Sequence, residues 1–115
     1  MNYISRSAKL YRNTRIIDSS IADYAIVADD CDLVNVKMYE HSEFGRRNII
    51  RNVEIGYGSY TGQNTTIKDS IIGKFSCLSS DVNIYGNSLH SYNKVSVYTD
   101  YWINKTFNQN FIDET

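Results

Sequence analysis

Histidine is the side chain best suited to carry protons at neutral pH. This chain of 115 residues holds two, His41 and His90. His41 stands in Tyr39-Glu40-His41-Ser42-Glu43, between two acids, which reads as a solvated outer face. His90 stands in Asn87-Ser88-Leu89-His90-Ser91-Tyr92, among side chains that donate and accept hydrogen bonds. The cysteines Cys31 and Cys77 form no Cys-x-x-Cys pair, so neither a disulfide framework nor a zinc site is expected. Arg46, Arg47 and Arg51 form the basic cluster, but Glu40, Glu43 and Glu54 flank it, and a solvated face is expected rather than a phosphate site. Gly56, Gly58, Gly62 and Gly73 lack the order of a phosphate-cradling loop and the helix that would follow one.

Bulk composition narrows the setting. Twelve basic residues against thirteen acidic ones leave a net charge of −1, so neither nucleic acid nor an anionic membrane is expected as partner. The hydrophobic fraction of 42% suffices for one small core. No apolar run approaches the roughly 18 residues of a membrane span. Met1 to Arg6 contain no apolar signal core, so a cytoplasmic protein with reduced thiols is expected.

The elements that position these groups are strands. Ile and Val number 21 against 4 Leu, with 10 Tyr beside them. β-branched and aromatic residues fit pleated surfaces, whereas Leu and Ala favour helices. The chain has no proline, so Gly, Asn, Asp and Ser must make its turns.

Those strands repeat. Apolar residues fall on a six-residue ruler at Ile21, Val27, Leu33 and Tyr39. It resumes after a slip at Ile49, Ile55, Thr61 and Ile67, and after a second slip at Ile72, Leu78 and Ile84. One place further on stand the small residues Ala22, Ala28, Gly56, Gly62, Gly73 and Ser79, expected to point inward. Three places further on stand Asp30, Gly58, Asn64, Ser70 and Asp81, types that tolerate positive φ. A fourth column holds Ala25, Cys31, Val53, Ser59, Thr65, Ser76 and Val82. Short strand, turn and short strand at this period describe a parallel β-solenoid, each coil stacking on the last. An antiparallel meander would instead show alternation over longer runs.

The segments Ile55 to Ile67 and Ile72 to Ile84 closely resemble the repeats of hexapeptide-repeat proteins. That resemblance implies a left-handed parallel β-helix. Beyond the last hexad, His90 followed by Val95-Ser96 and Tyr98 resembles the histidine loop of the xenobiotic and sugar O-acetyltransferases of this class. Ser91 stands where that group usually has proline.

The resemblance implies that His90 is a general base, that acetyl-CoA is the co-substrate, and that a sugar or xenobiotic hydroxyl is the acceptor. Asn87, Ser88 and Tyr92 are candidates for positioning acceptor or imidazole, and the spacing does not select among them. A zinc site like that of the hexapeptide-type carbonic anhydrases would need three histidines. The resemblance also implies a homo-trimer. The acetyltransferases continue past the histidine loop into further coils that contact acetyl-CoA, so a shortened or partial chain with an incomplete coenzyme site is expected, and no coenzyme-contact residue is assigned.

Three regions are expected: a lead-in over 1–20, the solenoid over 21–86 with irregular passage near Glu43 to Asn48, and a histidine loop with an aromatic arm over 87–115. The alternative to an enzyme is a non-catalytic structural or binding solenoid that assembles through its coil edges and arm.

Overall fold

The structure is a computed structural model that describes residues 1–86 and the backbone of Asn93–Val95. The strands are β1 (Tyr3–Ile4), β2 (Lys9–Leu10), β3 (Arg15–Ile17), β4 (Ser20–Ile21), β5 (Ile26–Val27), β6 (Asp32–Met38) and β7 (Glu43–Phe44). They continue with β8 (Ile49–Ile55), β9 (Tyr60–Thr61), β10 (Thr66–Ile72), β11 (Cys77–Leu78), β12 (Asn83–Tyr85) and β13 (Asn93–Val95). Each pairs in parallel with the strand one coil away, so the chain is an all-β parallel solenoid, as its repeats imply. No helix occurs among the described residues.

The coil is seventeen residues long. Asp32 pairs with Ile49, Ile49 with Thr66 and Thr66 with Asn83, each seventeen positions on. Residues 1–20, set apart by sequence as a lead-in, supply β1 to β3 and Ser20 of β4 in the same register. Inward positions therefore recur at six, six and five. Ile21, Val27, Leu33, Met38, Phe44, Ile50, Ile55, Ile67 and Ile72 fill the interior at 0–1% exposure. Each such burial contributes roughly 1.5–3 kcal/mol. Leu78 and Ile84, expected in the core, are half-buried against it.

This corrects the ruler at its slip. Tyr39 is half-buried and Ile49 is 43% exposed, while Met38 and Ile50 take the interior. Glu43 to Asn48 is regular, with β7 carrying the fully buried Phe44. The cause is the corner inside each long strand. Asn35, Asn52 and Asp69 sit mid-strand in β6, β8 and β10 with φ of 56°, 56° and 54°, and this bend uses one residue fewer than the other two.

Thirteen described residues have positive φ, one at each corner. Asp30, Gly58, Asn64 and Asp81 are among them, as their types imply. Ser70 is not; it is buried, and its neighbour Asp69 makes the turn. The inward small residues are those of the fourth column and its fellows, including Ala25, Cys31, Ser42, Ser59 and Ser76. The column beginning with Ala22 is small for another reason: a Cβ on Gly62 would lie 2.6 Å from the backbone nitrogen of Ser80 in the next coil.

Thr61 departs from the apolar ruler because it joins a buried polar network. Its hydroxyl donates to Asn48 Oδ1 and accepts the Gly45 N–H at 3.1 Å. Asn48 in turn donates to the carbonyls of Arg46 and Gly62 at 3.1 and 3.0 Å. Hydrogen bonds made in this way offset the cost of burying these polar groups.

Candidate functional site

The mid-strand bend forms one corner of the solenoid, with Asp18, Asn35, Asn52 and Asp69 one above another. The Asn35 side-chain amide donates to Asn52 Oδ1 at 2.8 Å, and that of Asn52 to Asp69 Oδ1 at 2.8 Å. Short amide and carboxylate side chains suit this place because they tolerate left-handed φ and reach the coil above.

Gly86 stands next in this column. Its N–H donates to the Lys68 carbonyl at 2.8 Å, as Asn64 and Phe75 donate at the other corners. An added Cβ would lie 1.9 Å from the Asp69 carbonyl oxygen, so no other residue fits there without movement. Sequence reasoning did not single out Gly86. Its signal was a glycine one coil above an Asx column, legible only once the coil length is known.

The regular register ends at Gly86. Lys68 pairs with Tyr85, seventeen positions on, whereas Ser70 pairs with Asn93, twenty-three positions on. Six additional residues, 87–92, therefore enter the chain between Gly86 and the next strand. Asn87, Ser88, His90 and Tyr92 belong to this insertion and lie outside the described residues.

A groove of about 510 Å³ runs beside the corner, bordered by Asp18, Asn35, Asn52, Asp69, Lys37 and Glu54. Its lining mixes these polar side chains with Tyr3, Val36, Val53 and Ile71, so it suits a ligand with both hydrogen-bonding groups and apolar surface. It reaches the coil from which the insertion leaves, at Asp69 and Ser70. Lys37 and Glu54 oppose each other in register on its outer face. Tyr39, over whose ring the Lys37 ammonium sits at 5.1 Å, and then Glu54 raise the pKa of Lys37.

The other candidates take different places. His41 is exposed, at φ 60°, and its ring stacks on Tyr24 with centroids 5.0 Å apart. Val36–Met38 separates it in sequence from the Asx corner. Cys31 is buried and donates to the Gly45 carbonyl at 2.9 Å; burial pushes its thiol pKa up, so it is no nucleophile. Cys77 is exposed, and both thiols are free. The arginines separate: Arg51 pairs with Asp32 at 2.9 Å, and Arg47 donates to Asn64 at 2.7 Å and Gln63 at 3.2 Å. Asp32 also receives Arg15 at 3.0 Å, so the partner of Arg51 lies in the coil below rather than among the neighbouring glutamates.

No protein-family model and no curated protein matches the chain. Among solved structures it is similar to a perosamine N-acetyltransferase mutant from Caulobacter crescentus in complex with CoA and GDP-perosamine. The identity is 22%, the TM-score 0.49, and the match covers 74% of this chain and 53% of that one. It is also similar to a mutant of AntD, an N-acyltransferase from Bacillus cereus, in complex with dTDP and coenzyme A. There the identity is 16%, the TM-score 0.34, and the coverage 97% and 88%. The chain thus spans about half the length of the first of these proteins. Its own strand pairing makes it a parallel β-solenoid with an insertion above the Asx corner.

Proposed function

We propose that this chain belongs to a left-handed hexapeptide-repeat acetyltransferase and carries its acceptor side. The single observation behind the reading is the register step from seventeen to twenty-three, which falls on the segment whose histidine pattern resembles the acetyltransferase loop. The lengthened coil leaves beside the groove that Asp69 and Ser70 border.

In this reading His90 is the general base. A hydroxyl acceptor has a pKa far above neutral, and an imidazole near 6.5 can take its proton as attack begins. The acceptor oxygen forms a bond to the acetyl carbonyl carbon of acetyl-CoA, and the carbon–sulfur bond breaks. The coenzyme thiolate leaves and recovers the proton from the imidazolium. Asn87, Ser88 and Tyr92 position acceptor or imidazole. The acceptor is a sugar or xenobiotic hydroxyl; an amine, named for the perosamine enzyme, is the other nucleophile to test.

The working unit is a homo-trimer acting in the cytoplasm. Tyr3, Ile4 and Leu10 of the first coil are 63%, 39% and 37% exposed, which also favours the second reading, a solenoid that assembles through its coil edges. Among the described residues no helix is long and apolar enough to cross a membrane.

The test is release of coenzyme thiol from acetyl-CoA with hydroxyl and amine acceptors, by the full-length protein and by His90→Ala. The reading expects a loss of roughly 10²–10⁴-fold in the variant, the usual contribution of a general base. Undiminished turnover would discard the mechanism, and no turnover with any acceptor would favour the assembling solenoid.

A further inference from the structure

A second groove of about 620 Å³ lies at the opposite end of the same outer face. It is bordered by Tyr39, Glu40, Glu54, Tyr57, Lys74 and Phe75, with Gly56 and Gly73 between them. It meets the groove beside the Asx corner at Glu54 and Ile71, which border both.

Beside it rises a column of rings, one per coil. Tyr24 stacks on His41 at 5.0 Å, His41 meets Tyr57 edge-on at 5.4 Å, and Tyr57 meets Phe75 edge-on at 5.5 Å. These rings do not complete the core: Tyr24, Tyr57 and Phe75 are 59%, 40% and 65% exposed. Phe75 also holds a left-handed φ of 54°, a strained place for a bulky residue that Asn, Asp or Gly fills at nine of the other twelve described corners. Its ring lies over Gly58 of the coil below and still leaves most of its own surface in solvent.

We propose that this groove binds a neutral saccharide, with a pyranose ring seated on the face of one of the two exposed rings, Tyr57 or Phe75, whose planes lie 77° apart. The carbon-bound hydrogens on one face of a pyranose carry partial positive charge and fit the negative face of an aromatic ring. Its equatorial hydroxyls project sideways, where Glu40 and Glu54 accept hydrogen bonds and Lys74 donates one. Two carboxylates against one ammonium disfavour a phosphate or another anion. This inference is independent of acyl transfer, because it concerns binding at the ringed corner alone.

The experiment titrates the intact chain, without acyl donor, with maltotetraose, cellotetraose and chitotetraose, by calorimetry and saturation-transfer NMR. A Tyr57→Ala, Phe75→Asn double variant is the comparison, since Asn tolerates the left-handed φ and preserves the fold. The proposal expects at least one oligosaccharide to bind at millimolar concentration or below, and the double variant to lose about tenfold in affinity, the scale of an aromatic contact. Absence of binding by all three, or equal binding by the variant, overturns it. A variant that loses self-association while neither protein binds saccharide identifies a subunit contact at this groove, and also overturns it.

Discussion

Ser70 and Asn93 lie opposite each other in a parallel strand pair although twenty-three positions separate them, six more than separate the partners in any other described strand pairing. One coil of an otherwise uniform solenoid is therefore lengthened at a single corner. Below it, Asn35, Asn52 and Asp69 turn the chain with one residue each, so the turn itself needs no insertion. The additional residues serve something other than closing the coil.

Joining Gly86 directly to Asn93 should leave the fold intact. In the coil below, Asp69 and Ser70 hold the equivalent places as immediate neighbours. Loop closure favours the shorter connection slightly, since the entropic cost rises with loop length. The expected outcome is an unchanged β-type circular dichroism spectrum and thermal midpoint, with acyl transfer abolished. A deletion that unfolds the chain would give residues 87–92 a structural role instead.

Ile67→Ala and Ile49→Ala separate the seventeen-residue coil from the six-residue ruler. Ile67 is fully buried, and its truncation should cost about 2–5 kcal/mol in urea unfolding. Ile49 is 43% exposed, so its truncation should cost less than about 1 kcal/mol. Equal costs would contradict the register.

Asn52 tests the Asx column. Asn52→Ala removes the amide that links Asn35 to Asp69 and places a Cβ-bearing residue without a local hydrogen bond at φ 56°. The left-handed conformation alone costs roughly 1–2 kcal/mol. Asn52→Gly loses the same amide without that strain. Denaturant melts should rank wild type above Asn52→Gly and Asn52→Gly above Asn52→Ala; the reverse order of the two variants would remove the strain argument.

Asp32 supplies an acid-sensitive contribution. Partial burial raises its pKa, but the hydrogen bonds and charges of Arg51 and Arg15 more than offset this, and the net shift is downward. A depressed folded pKa means that the carboxylate stabilises the fold at pH above its unfolded value of about 3.9. That contribution is lost as pH falls through the folded pKa. The stability difference between wild type and Asp32→Asn should stay constant from neutral pH to about 5 and shrink in more acid solution. A difference independent of pH down to strong acid would exclude the ion-pair origin.

Much of the architecture was legible because a solenoid asks the same question of the sequence in every coil. Ile21, Val27, Leu33, Ile55, Ile67 and Ile72 recur because the interior is one continuous column, and Asp30, Asn64 and Asp81 recur because each corner needs a left-handed residue. The end of the repeat near Gly86 was legible for the same reason, and it brought His90 into view.

What only the tertiary structure decided was the coil length and everything that depends on it. A shift of one residue exchanges the faces of a strand, so Ile49 and Ile50, both suitable for a core, could not be told apart without the partner register. The bends at Asn35, Asn52 and Asp69 set that register by shortening each coil by one. Contacts between coils followed from it. Arg51 found Asp32 rather than the glutamates nearest in sequence, and Tyr24, His41, Tyr57 and Phe75 came together at one corner. Pattern along a chain records which residue types a place accepts; which places become neighbours depends on how many residues each turn uses.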